Sequence, residues 1–160
     1  TGEINVGGVI GEGTISTSSA DVSVDSYRGG LDINTSSGDA TIVNFGGKLE
    51  VESGSGDLEV GEFYGAARVK TGSGDITMRD SYFQGISTVD TGSGDVDIRV
   101  RNDDSLGVVV QTGSGDMDIS HDFTMAKRGR KVKEGYLGTN PEPTNMLRIR
   151  TGSGDIELEK

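Results

Sequence analysis

The chain has 160 residues, 31% of them hydrophobic and 5% aromatic, and a formal net charge of −11. That charge disfavours generic nucleic-acid binding and adsorption to an anionic membrane. The lack of cysteine excludes disulfides and thiolate metal sites, and no apolar run approaches the roughly 20 residues that cross a bilayer as a helix.

The chain opens on Thr1-Gly2-Glu3, a shortened copy of a motif that recurs to the end. Looser copies follow at Thr17–Asp21 (TSSAD), Thr35–Asp39 (TSSGD) and Ser53–Asp57 (SGSGD). Thr71–Asp75, Thr91–Asp95, Thr112–Asp116 and Thr151–Asp155 all read TGSGD. The acidic positions Glu3, Asp21, Asp39, Asp57, Asp75, Asp95, Asp116 and Asp155 are spaced by 18, 18, 18, 18, 20, 21 and 39 residues. A start inside this pattern, without initiator Met or signal peptide, is expected of a mature product or an excised domain.

Apolar residues keep fixed offsets from the acid. One residue after it stand Ile4, Val22, Ala40, Leu58, Ile76, Val96, Met117 and Ile156. Three after it stand Val6, Val24, Ile42, Val60, Met78, Ile98, Ile119 and Leu158. Six before it stand Ile15, Ile33, Val51, Val69, Val89, Val110 and Ile149. Each unit therefore holds two short period-2 strands with one face buried, joined at the Ser-Gly-Asp corner and at a second corner marked by Gly11, Gly29, Gly47, Gly65 and Gly85. Val (15) and Ile (11) far outnumber Leu (7), as strands require. One unit cannot bury its apolar face alone, but stacked units can. The expected fold is all-β: a parallel β-solenoid, right-handed by the rule for parallel crossovers, of about eight coils of about 18 residues with two main strands each. It forms a single domain over 1–160, with an irregular insertion at about 121–145 before the last coil. Near the second corner Tyr27, Phe45, Phe63, Tyr64, Tyr82 and Phe83 read as a ring stack closing the core's narrow edge; a strip for stacking carbohydrate is the functional alternative. Neither terminus carries an evident cap, which would leave strand edges open for head-to-tail self-association.

The copies TGSGDITM, TGSGDVDI, TGSGDMDI and TGSGDIEL recur in phase, with a Gly-x-Leu-x-Val strand between units. This pattern resembles the bacterial adhesin family of β-strand repeats, related to the head domain of the GIN adhesins, and the resemblance spans essentially the whole chain. It implies an exported bacterial β-helix in the extracellular space or cell envelope, and it supplies no catalytic residue or ligand.

Three constellations carry possible chemistry. The corner ladder is formed by Ser19, Asp21, Ser37, Asp39, Ser55, Asp57, Ser73, Asp75, Ser93, Asp95, Ser114, Asp116, Ser153 and Asp155, whose side chains can accept bonds from turn N–H groups. Carboxylates about 5 Å apart repel by roughly 3 kcal/mol at an effective dielectric of about 20, so the ladder needs solvation, hydrogen bonds or a cation. The need is sharpest at Asp95, Asp97, Asp116, Asp118, Asp155 and Glu157, which share one outward face. Six oxygen-ligand side chains there suit a hard cation such as calcium, although one Asp per 18 residues and no Gly-Gly opening make an incomplete calcium β-roll motif. Lys127, Arg128, Arg130, Lys131 and Lys133 form a basic loop within the insertion, read either as solvated or as folded back on those six carboxylates. His121 is the only histidine and reads as a loop residue, so no Ser-His-Asp arrangement is expected. The expectation is a non-catalytic structural or adhesive module with no cofactor, an unidentified protein or surface partner, no nucleic acid and no membrane insertion. The alternatives are a self-assembling fibre subunit and a calcium-dependent binding domain.

Overall fold

The computed structural model describes residues 2–101, 105–120 and 123–160. Among them are thirteen strands and no helix, all in one sheet. β1 (Glu3–Thr17), β2 (Asp21–Ser37), β3 (Ala40–Ser55) and β4 (Leu58–Ser73) each run through a whole coil. β5 (Ile76–Phe83) and β6 (Ile86–Ser93) divide the next one. Pairing is parallel at the sequence period, so that Ile4, Val22, Ala40, Leu58, Ile76 and Val96 stand in one row. The columns predicted to be inward are inward: Val51 is 1% exposed and Val69 0%. Outward charges pair between coils, Glu52 with Lys70 at 3.1 Å and Glu50 with Arg68 at 3.9 Å. Lys70 also stands level with Asp90 but makes its ion pair with Glu52.

The aromatic residues divide into two sets. Tyr27, Phe45, Phe63 and Phe83 are buried and form a continuous stack, with ring centroids 5.5, 5.9 and 5.7 Å apart. Tyr64 and Tyr82 turn outward and stack on each other at 5.0 Å. The separation follows from a break in alternation at the left-handed Glu62 (φ 51°): Val60 and Phe63 both face inward, which turns the neighbouring Tyr64 outward. At the second corner the chain turns through Gly65, at φ +147°, where a Cβ would run into the carbonyl oxygen of Gly47 in the coil below. Rungs stack too closely there for any side chain.

About five turns of about 18 residues stack in chain order, fewer than the eight counted from the motif copies. The later copies contribute partial rungs, and they leave chain order. β7 (Val96–Val100) follows β5, but β6 is joined by β12 (Asn145–Ser153) and not by β8 (Leu106–Ser114). β12 lies between β6 and β8, and β13 (Ile156–Glu159) lies between β7 and β9 (Met117–Ile119). The last coil in sequence is thus an interior one. The stretch read as an irregular insertion holds an antiparallel hairpin, β10 (Phe123–Arg128) and β11 (Val132–Leu137), with a register shift between Met125 and Lys127. β11 pairs antiparallel with β8, and Leu137 is buried while Phe123 packs against the core. The outer edge of β8 is therefore paired by the hairpin, while among the described residues no strand lies beyond β9 at that end or beyond β1 at the other.

Val51→Asp should unfold the middle coils. An uncompensated carboxylate in this thin core costs several kcal/mol, a large part of a typical total stability. Loss of the cooperative circular-dichroism melting transition is the measurement that checks it.

Candidate functional site

The corner ladder is built from backbone outward. In every stacked pair the Asp carboxylate accepts the N–H of the corner Asp in the next rung. Asp39 N–H donates to Asp21 at 3.1 Å, Asp57 to Asp39, Asp75 to Asp57 and Asp95 to Asp75 at 2.9 Å each. Asp155 then donates to Asp95, and Asp116 to Asp155, at 2.8 Å each. The order of these last two bonds reports the inserted coil. Charged acceptors give the stronger class of hydrogen bond, and each N–H brings a positive dipole against its carboxylate.

The seven serines of the ladder behave differently from the expectation. Their side chains are exposed, and no hydrogen bond holds them among the described residues. The motif's first residue takes the inward role instead. Thr91, Thr151 and Thr112 donate to the carbonyls of Gly74, Gly94 and Gly154 at 3.2, 3.1 and 3.2 Å. Thr35 Oγ1 and Ser53 Oγ are buried without a partner. The alternation of inward Val51 and Val69 extends to Ser53 and Thr71, and this was the signal available in the sequence for an inward hydroxyl column.

The six carboxylates Asp95, Asp97, Asp116, Asp118, Asp155 and Glu157 do occupy neighbouring rungs. Glu157 stands between Asp97 and Asp118. Its carboxyl is held above its ordinary pKa, first by the charge of Asp97, then by Glu159, partial desolvation and Asp118. Among the described residues no group of three His, Cys, Asp or Glu side chains could hold a metal ion. The basic residues lie on the hairpin that covers the end of the solenoid. Lys127 pairs with Glu134 at 3.9 Å, and the Lys133 ammonium donates to the Met117 carbonyl at 2.7 Å. Arg128, Arg130 and Lys131 are exposed at and beside the tip. Among the described residues no ion pair joins the five cations to the six carboxylates. His121 lies outside the described residues.

One feature escaped the sequence reading. The outward tyrosines border a concavity of about 580 Å³ that also involves Glu62, Asp80, Val100 and Arg101. The sequence reading placed both tyrosines in the buried stack, with a carbohydrate-stacking strip as the alternative, and had no signal for the concavity beside them.

Two predictions test this geometry. Glu157 is raised in the fold, so its share of stability is present below its unfolded pKa and is lost as pH rises through the folded value. Glu157→Gln should raise the melting temperature at pH 7 and leave it unchanged near pH 3, as followed by calorimetry. Thr151→Val should destabilise by about 1 kcal/mol through a lost hydrogen bond, whereas Ser53→Ala should cost less than Thr151→Val, because its hydroxyl has no partner. Denaturant titration of both variants gives the comparison.

No curated protein matches this chain. A solved structure described as a "putative cell adhesion protein" from Clostridium sporogenes ATCC 15579 is similar to it, with 9% sequence identity and a TM-score of 0.53 over 99% of this chain and 92% of that one. At that identity the likeness is one of fold. The family model Toastrack DUF4097 matches residues 47–159, from the Gly47 corner to the end of β13. A chain matched over well more than half its length, and stacked as described, belongs to the Toastrack DUF4097 family.

Proposed function

We propose that the chain is a non-catalytic solenoid module of the bacterial cell surface or envelope with a structural and adhesive role. The observation that carries this reading is the likeness of fold, over 99% of the chain, to a protein described as a "putative cell adhesion protein". The internal chemistry agrees with it. The corner carboxylates accept backbone N–H groups of the next rung, and Thr91, Thr112 and Thr151 donate to carbonyls of neighbouring rungs, so these repeated groups serve the stack. What remains available to a partner is the set of outward columns.

A head-to-tail fibre is less well supported, because β11 already occupies the outer edge of β8. A calcium-dependent reading has the incomplete motif against it, and the corner carboxylates Asp95 and Asp155 each accept an N–H bond from the next rung.

Beads coated with the folded chain should be retained on immobilised bacterial envelope fragments several-fold more than beads coated with an unrelated protein of matched net charge. Equal retention of the two coatings would overturn the adhesive role.

A further inference from the structure

The outward column seven residues past the acid runs Arg28, Gly46, Tyr64, Tyr82. Ser81 is level with Val100, and the Arg101 N–H donates to the Ser81 carbonyl, so the column continues at Arg101. Beside it runs the column five past the acid: Ser26, Asn44, Glu62 and Asp80, all left-handed, with φ of 58°, 56°, 51° and 51°. Such backbone is uncommon for residues other than Gly, Asn and Asp. In the lower rungs these side chains satisfy one another. Asn44 Nδ2 donates to Ser26 Oγ at 3.1 Å, and Arg28 donates to the Asn44 carbonyl at 3.0 Å. In the upper rungs they do not. Glu62 and Asp80 make no hydrogen bond or ion pair among the described residues. Glu62 therefore sits in a backbone conformation that its side chain neither favours nor compensates, with its carboxylate facing the concavity.

We propose that this concavity binds an uncharged pyranose unit of a glycan. The stacked pair Tyr64 and Tyr82, with Tyr64 51% exposed, offers apolar ring surface to the C–H side of a sugar. Glu62 and Asp80 accept hydrogen bonds from vicinal hydroxyls, and Arg101 donates to ring or hydroxyl oxygens. The volume of about 580 Å³ lies within the range of small-ligand sites, about 300–1,000 Å³. Its lining holds two carboxylates, Glu62 and Asp80, and two cations, Arg101 and Lys160. This local balance suits a neutral ligand, whereas the net charge of −11 disfavours an acidic one. The proposal gives the adhesive reading a ligand class and rests on it.

The test is aromatic ¹H–¹³C NMR of the full chain titrated with cellotetraose, chitotetraose and maltotetraose, and with tetragalacturonate and tetraglucosamine as charged controls. At least one neutral tetrasaccharide should shift the Tyr64 and Tyr82 signals saturably and leave Tyr27 and Tyr136 in place. Tyr82→Ala and Glu62→Gln, checked for unchanged melting, should weaken that binding about tenfold, equivalent to about 1.4 kcal/mol. Arg130→Gln with Lys131→Gln, on the hairpin, should leave it unaltered. No shift with any neutral probe overturns the proposal, as does binding that survives Tyr82→Ala or that only the charged sugars show. If bead retention persists while every neutral sugar fails, this inference falls and the adhesive reading stands.

Discussion

Every rung of this molecule must have the shape of the rung below it. Parallel backbone pairing holds the coils about 4.8 Å apart, and at that spacing a corner tolerates only atoms that its neighbour leaves room for. A Cβ at Gly65 would strike the carbonyl of Gly47, and one at Gly47 would strike that of Gly29. Glycine recurs because carbonyls point along the stack. The motif is therefore a steric condition applied once per coil, and its regularity needs no repeated catalytic or metal-binding task.

The same condition aligns like charges, and the fold answers in two ways. At the corner, each Asp carboxylate from Asp21 to Asp155 in the stack meets the N–H of the next Asp, ending at Asp116, so a column of acids becomes a column of acceptors. On the flat faces opposite charges alternate, as at Glu52 and Lys70, and where they do not, as at Asp97, Glu157 and Asp118, the central carboxyl is held above its ordinary pKa. The Tyr64 and Tyr82 pair shows a third consequence. Stacking turns an isolated surface ring into an aromatic face, and beside it lie Glu62 and Asp80, two carboxylates that make no hydrogen bond or ion pair among the described residues.

The C-terminal third departs from simple winding. β8 and the hairpin lie beyond the position of the final coil, and β12 and β13 enter between rungs already supplied by earlier sequence. Each of these strands then pairs on both edges, so the end of the chain becomes interior. Leu137 and Phe123 cover core at the outer end, and Lys133 reaches across to a carbonyl of β9. The basic loop is tied to end covering through this lysine, while its remaining cations face solvent.

Much of this was legible before any coordinates. The period of 18, the three apolar offsets and the Gly corners set the strands, their faces and the parallel register, because each is a local rule repeated until no other arrangement satisfies it. The proximity of the six carboxylates could also be read, since Asp97, Asp118 and Glu157 share one offset. The rung order could not. All four TGSGD copies present the same edge, so Thr91–Asp95 accepts Thr151–Asp155 as readily as Thr112–Asp116, and only the length and path of the intervening chain decide between them. Nor could the sequence separate Phe63 from Tyr64, or free carboxylates from bonded ones. Periodicity assigns a residue to a column, whereas its partner depends on which rung lies next to it, and that is a property of the assembled stack.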